Sequence, residues 1–218
     1  SYKNNLHYAQ KYSDFVIHSY HAVKNFTTGE GGAVLTNNKS DKILIDQLRT
    51  HGVFRKKNRT FPWEYEMRNL GYNYRITDIQ ASLGISQLKK LDKFVNYRRK
   101  IAGLYDKLFK NFDYCQIPNV ENDVKHAYHL YPLLIDFKKI KVSKLFLFKA
   151  FKKNNINLQV HYIPIYRQPF YKKKFNLNYK NFPNSEDFYK KEISIPIFYN
   201  MKKNLVNKIY KIFKNYIY

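Results

Sequence analysis

Short β-branched and aromatic runs occupy the start of the chain, and apolar residues at helical spacing dominate its middle and end. Residues 14–21, Asp-Phe-Val-Ile-His-Ser-Tyr-His, read as a buried strand. A loop follows over residues 22–32, closing on Gly-Glu-Gly-Gly, and residues 33–36 form a second strand. Two glycines before a strand permit positive φ and close backbone approach, so this loop can pass tightly over something small. Ser40 is placed to cap a helix reaching His51, with Gly52 as its stop. Residues 53–75 carry charge and aromatics without a regular period, the pattern of an excursion that packs on another surface. Thr77-Asp-Ile-Gln80 is a capping box. From it Ile79, Leu83, Leu88, Leu91, Val95, Ala102, Tyr105 and Phe109 recur at helical spacing, predicting one helix of about eight turns.

Beyond Pro118 the pattern predicts a strand over 128–135, a Ser143-capped helix to Asn154 and a strand over 158–162. An irregular aromatic stretch, a Ser185-capped helix, a strand over 193–198 and a terminal helix bearing Leu205, Ile209 and Ile212 complete it. This second half reads as a compact α+β unit, with the boundary near Leu91: residues 1–91 on one side and 92–218 on the other.

Composition changes this picture little. The 218 residues, 44% of them hydrophobic, suffice for a folded core. The formal charge of +24 points by itself to nucleic acid or an anionic surface. Its lysines are spread along the whole chain among many Asn, Tyr, Ile and Phe, the signature of an A+T-biased genome, whereas a groove-tracking binder concentrates charge on one face. The longest basic run, Lys172 to Lys174 between Tyr171 and Phe175, is the one candidate platform for single-stranded nucleic acid, and no nucleic-acid partner is expected. The single cysteine, Cys115, excludes an internal disulfide and a Cys-based zinc cluster, so no metal is expected and a reducing compartment is. Every apolar run is interrupted well short of the roughly 20 residues that span a bilayer, so no membrane partner is expected and the cytoplasm is the expected location. The chain opens at Ser1 with neither a charged nor an apolar leader, which reads as a cut.

The chemistry-bearing stretch is Ser19-Tyr-His-Ala-Val-Lys-Asn-Phe-Thr-Thr-Gly-Glu-Gly-Gly32. Most lysines are solvated surface charges. Lys24 instead follows an apolar strand and precedes a glycine-bearing turn, a partly dry setting in which an amine's pKa falls and the neutral nucleophile becomes accessible. Schiff-base chemistry requires that form, since an ammonium cannot attack an aldehyde.

This stretch resembles the lysine signature of the DegT/DnrJ/EryC1/StrS family of sugar aminotransferases, Ser-Phe-His-x-x-Lys-x-(Ile/Leu)-Thr-Thr-Gly-Glu-Gly-Gly. Gly71-Tyr-Asn-Tyr-Arg-Ile-Thr-Asp-Ile-Gln-Ala81 and His161-Tyr-Ile-Pro-Ile-Tyr166 resemble the same family, in the same order. The resemblance implies a pyridoxal-phosphate-dependent transferase of fold type I, the chain holding the C-terminal part of the large α/β domain and the small α+β domain. It implies that Lys24 holds pyridoxal 5'-phosphate as a Schiff base and moves a proton at the substrate carbon. Ser19 would bond the cofactor phosphate, and Asn73 would reach the phosphate of the neighbouring subunit's cofactor, giving a homodimer with shared sites. Arg75 would contact the anionic part of a nucleotide-sugar, and His161 and Tyr162 the sugar. His21 and Glu30 belong to the signature and are expected to shape the loop. Without the motif, Ser19 would be an ordinary strand hydroxyl, Asn73 a turn residue, and His161 a core histidine.

Lys24 separates this chain from related sugar dehydratases, which carry histidine there. The segments 24–32, 159–166 and 185–189 most resemble the subgroup that moves an amino group, from glutamate, to the 4-keto carbon of a UDP-linked 4-keto-6-deoxy-N-acetyl-hexosamine on the route to pseudaminic acid. The family's phosphate-binding turn, ring-stacking aromatic and acidic partner of the pyridine nitrogen are expected upstream of Ser1. The 218-residue chain alone is therefore expected to be inactive.

Overall fold

The computed structural model describes residues 8–217. The described chain forms two units: the residues up to Asp92 together with Asp123–Lys125, and Lys93–Asn122 with His126 onward.

In the first unit helix α1 (Tyr8–Tyr12) precedes β1 (Val16–Ser19) and β2 (Gly32–Leu35), an antiparallel pair in the register Val16↔Leu35 to Ser19↔Gly32. These strands fall where the sequence predicts them, but they are not buried. Within this chain the two strands pair only with each other, and Ile17 is 71% exposed. Helix α2 (Lys39–Leu48) starts one residue before Ser40, because Asn38 supplies the cap: its Oδ1 accepts from the Ser40 and Asp41 amides and takes the Ser40 hydroxyl as well. Gly52 lies just past the helix at φ 70°, where an added Cβ would fall 1.7 Å from the Asn69 carbonyl oxygen. The aperiodic segment contains a small hairpin, β3 (Val53–Phe54) with β4 (Glu66–Met67). Lys56 and Arg68 both bind Glu66, 2.7 and 2.8 Å away, and hold its carboxyl below the usual carboxylate range, the Lys56 hydrogen bond contributing most.

Helix α3 (Asp78–Leu88) opens on the full capping box, Thr77 Oγ1 accepting from the Gln80 amide and the Gln80 side chain accepting from Thr77 N–H. The single long helix expected from the pattern is two helices. The Lys90 amide bonds Gln87 O at 2.9 Å, an i to i−3 closure that ends α3, and α4 (Leu91–Phe109) starts afresh. No Gly or Pro marks the break, so the apolar spacing runs on across it. The apolar residues of α3 stay outside, with Ile79 84% exposed, whereas those of α4 enter a core.

That core belongs to the second unit. A three-stranded antiparallel sheet has β6 (Tyr131–Ile135) between β5 (Cys115–Gln116) and β7 (Glu192–Ile195). Strand period puts Tyr131, Leu133 and Ile135 on one buried face. Helical period presents Ala102, Tyr105 and Phe109 of α4, Leu147 and Phe151 of α5 (Lys144–Lys153), and Val206, Ile209 and Phe213 of α8 (Lys203–Ile217) to the same cluster. Ser143 caps α5 as the sequence predicts. Two tyrosine hydroxyls of this core have partners: Tyr105 donates to Pro196 O at 2.8 Å and Tyr131 to Asp106 Oδ1 at 2.5 Å. Arg98, on the inward face of α4, donates from Nη1 to the carbonyls of Tyr128, His129 and Ile197 and so pins two chain segments to the helix.

Three further expectations change here. The strand over 158–162 reduces to a bridge between Gln159 and Ser194. The helix assigned to a Ser185 cap is α7 (Pro183–Lys191), which starts earlier because Pro183 occupies its first turn. The aromatic stretch contains α6 (Pro169–Phe175), ended by Asn176 in the left-handed conformation.

Cys115 lies at the sheet edge of this core, and burial pushes its thiol up to about 12. The thiolate is the reactive form, so at pH 8 the folded unit should leave Cys115 almost inert to thiol reagents. A colorimetric thiol assay is expected to show slow modification that becomes fast only in denaturant.

Candidate active site

Lys24 sits in the loop between β1 and β2, and that loop closes on itself. At its mouth the Tyr20 amide donates to Gly31 O (2.9 Å), while Tyr20 O accepts from the Thr28 amide (3.0 Å) and from Thr27 Oγ1 (2.8 Å). Thr28 Oγ1 donates to Glu30 O at 2.7 Å. Gly31 adopts φ 148°, and a Cβ there would lie 2.5 Å from Thr28 Oγ1. Inside this frame the Lys24 amide donates to His21 O (3.0 Å), an inner turn that places the half-buried Lys24 at its end. His21 Nε2 stands 3.6 Å from Glu30 Oε1 across the loop. Helix α3 seats the loop from below: Gln80 Nε2 donates to Glu30 O at 3.2 Å, and a Cβ on Gly84 would fall 2.8 Å from the buried Thr28 methyl. Ser19 is the last residue of β1, exposed, at the foot of the same loop.

Asn73 and Arg75 lie on a strap that crosses the C-terminal end of α2. Tyr72 and Tyr74 donate their amides to Leu48 O (2.7 Å) and Arg49 O (2.9 Å), carbonyls a helix end leaves without internal partners. Their rings stack at 5.1 Å. Extended backbone turns alternate residues to opposite sides, so Asn73 and Arg75 share the other side, both exposed. The strap then meets the lysine loop through Ile76, whose Cδ1 would lie 3.5 Å from a Cβ on Gly31.

His161 and Tyr162 belong to the second unit. The chain leaves the sheet after Gln159 because the next amide donor goes elsewhere: His161 N–H binds Glu192 Oε2 at 3.0 Å. His161 Nδ1 is 2.8 Å from Ser194 Oγ, which donates to Glu192 Oε1 at 2.6 Å. The Tyr162 ring stands edge-on to His161 at 4.6 Å and is largely exposed. Downstream, Arg167 grips Glu186 with two bonds of 2.6 and 2.5 Å and holds that carboxyl below its usual range, while Tyr166 stacks on Phe182 at 4.2 Å. Glu192 and Ser194 escaped the sequence reading. The signal was present: two polar residues alternating with Ile193 and Ile195 in a short strand, all four buried.

The structure thus puts Ser19 and Lys24 in one loop, joins the strap of Asn73 and Arg75 to that loop, and gives His161 a buried polar support. Residues 2–214 match the model of the DegT/DnrJ/EryC1/StrS aminotransferase family, and the chain belongs to that family. It is 42% identical over 184 residues to the UDP-4-amino-4,6-dideoxy-N-acetyl-beta-L-altrosamine transaminase of Campylobacter jejuni subsp. jejuni, covering 84% of this chain and 47% of that one. Helicobacter pylori PseC, described as an aminotransferase involved in the biosynthesis of pseudoaminic acid, superposes with a TM-score of 0.85 at 34% identity, over 94% of this chain and 54% of that chain. The PLP form of a putative sugar aminotransferase, Spr1654 from Streptococcus pneumoniae, gives 0.83 at 26% identity over 99% and 54%. The chain spans about half the length of the curated relatives it matches. Its fold is that of the family: the C-terminal part of a fold type I transferase. Among the described residues no helix is long and apolar enough to cross a membrane, and no cluster of three metal-ligating side chains occurs.

Proposed function

We propose that the protein containing this chain is a pyridoxal-phosphate-dependent sugar aminotransferase. It moves an amino group from L-glutamate to the 4-keto carbon of a UDP-linked 4-keto-6-deoxy-N-acetyl-hexosamine, in pseudaminic acid or related surface-sugar biosynthesis. The observation that carries this reading is the closed loop that begins at Ser19 and holds Lys24, in a chain of this family. An amine at an inner turn and a hydroxyl at the adjoining strand end suit an aldehyde that bears a phosphate, and the Cβ side of Gly29 is open space. Bound pyridoxal phosphate supplies an electron sink for the reacting carbon.

This chain's residues do the rest. Lys24 Nζ holds the cofactor and then carries the proton to and from the substrate carbon. Ser19 Oγ donates to the phosphate. Arg75 offers its guanidinium fork to the anionic part of the nucleotide-sugar. His161 and Tyr162 meet the sugar. The whole enzyme, given glutamate and the UDP-4-keto sugar, should yield 2-oxoglutarate and a 4-amino sugar detectable by mass spectrometry. Transfer to other keto-sugars alone would overturn the substrate, and no transfer to any would overturn the class.

The subunit arrangement is proposed on the same basis. The Asn73 strap serves the cofactor phosphate of a second subunit in a homodimer. Asn73→Ala and Lys24→Ala proteins, each inactive or weak, are expected to regain activity when mixed, because one site of each hybrid holds both residues intact. If exchange of subunits is demonstrated and no mixture gains activity, Asn73 lies outside a shared site.

A further inference from the structure

Glu192 and Ser194 occupy alternate positions of β7, so their side chains leave the strand on one face, and both are buried. The Glu192 carboxylate takes two donors: the backbone N–H of His161 on Oε2 and the Ser194 hydroxyl on Oε1, at 3.0 and 2.6 Å. The half-buried Lys144 ammonium, which donates to Tyr189 O at 2.7 Å, is drawn electrostatically to the same carboxylate. A carboxylate accepts hydrogen bonds and has none to give. Ser194 has a single proton, and that proton goes to Glu192. The 2.8 Å contact between Ser194 Oγ and His161 Nδ1 therefore needs its proton from the imidazole. With Nδ1 carrying the proton, the neutral ring has its lone pair on Nε2.

We propose that Glu192 and Ser194 are positioning residues that lock His161 in its Nδ1–H tautomer, so that Nε2 is a hydrogen-bond acceptor for a hydroxyl or amide N–H of the sugar substrate. One carboxylate sets both the backbone position of His161, through its amide, and the polarity of its ring, through Ser194. The edge-on Tyr162 ring walls the imidazole on one side. A histidine in this state favours a donor-bearing ligand group and disfavours a carbonyl or ether oxygen at the same point. The sugar half of the proposal rests on His161 being a sugar contact, as stated under the proposed function; the tautomer half does not.

The test is nitrogen-15 correlation spectroscopy on the whole enzyme labelled in its histidine rings, at a pH where the imidazoles are neutral. The His161 signals are identified by their loss in His161→Gln. The wild-type chain is expected to show His161 protonated on Nδ1. Ser194→Ala should return it toward the Nε2–H form that a free imidazole favours, and Ser194→Thr, which keeps the hydroxyl, should restore Nδ1–H. In the whole enzyme Ser194→Ala should raise KM for the sugar nucleotide roughly 2- to 10-fold, the worth of one neutral hydrogen bond, with a smaller effect on kcat, and Ser194→Thr should reverse it. A wild-type His161 protonated on Nε2, or one whose tautomer ignores Ser194→Ala, overturns the positioning role. A tautomer that responds as stated while KM stays fixed overturns the sugar contact of His161 and leaves the lock standing.

Discussion

Replacing Lys24 with alanine in the whole enzyme should abolish transamination and covalent retention of the cofactor while the fold survives. The side chain is half-buried at an inner turn, and the bonds among the Tyr20, Thr27, Thr28 and Gly31 groups that close its loop remain in the variant. Its loss should cost less than about 1 kcal/mol of stability. The chemical cost is of another order. Proton transfer by a placed base is worth roughly 10²–10⁴-fold by itself, and the covalent tether is lost as well. Turnover with glutamate and absorbance of the bound cofactor check the first part, and thermal unfolding checks the second. A Lys24→Ala protein that retains the cofactor covalently and turns over normally contradicts the assignment.

The largest structural effect is expected from Phe109→Ala. Phe109 is fully buried at the end of α4, edge-on to Phe213 at 5.2 Å, Phe112 at 5.8 Å and Tyr210 at 5.9 Å. Three aromatic partners drawn from α4's end and α8 leave little scope for the cavity to collapse, so the change should cost about 3–5 kcal/mol. That is a large share of the roughly 5–15 kcal/mol that holds an ordinary domain together. Cys115 reports on the same core and is the only thiol of the chain. Its reaction with a thiol reagent as a function of urea should shift to markedly lower denaturant in the variant. An unchanged midpoint would place Phe109 outside the cooperative core.

The parts of the fold that could be read from the sequence are those fixed by neighbours in the chain. The Thr77–Gln80 capping box and the Ser143 cap are local hydrogen bonds between residues three apart. The faces Ala102–Tyr105–Phe109 and Leu205–Ile209–Ile212 follow from helical period alone. Where two local signals competed, spacing did not arbitrate: Asn38 and Ser40 are both good caps, and Asn38 takes the amides. The α3–α4 break has no breaker residue, so nothing in the period marks it. The strand expected over 158–162 failed for a non-local reason, since the His161 amide bonds a carboxylate 31 residues away instead of a ladder carbonyl.

The candidate site divides the same way. Lys24 and Ser19 lie within one contiguous motif, and their loop is closed by residues of that motif, so the stretch could be recognised entire. The support of His161 could not, because Ser194 lies 33 residues on and only the sheet brings it near. Val16 to Ser19 has a core strand's composition, and in this chain, which spans about half the length of its relatives, the strand pairs with β2 alone and stays mostly exposed.

The most direct measurement of the central claim is chemical. The whole enzyme, loaded with pyridoxal phosphate and reduced with borohydride, is digested, and the peptide that retains the cofactor is located by mass spectrometry. The chain's lysines are spread along its whole length, so non-specific labelling would scatter over many peptides. A single stoichiometric label at Lys24, within Ser19–Gly32, is the expected result. A label fixed on another lysine, or spread among many in proportion to their exposure, would contradict it.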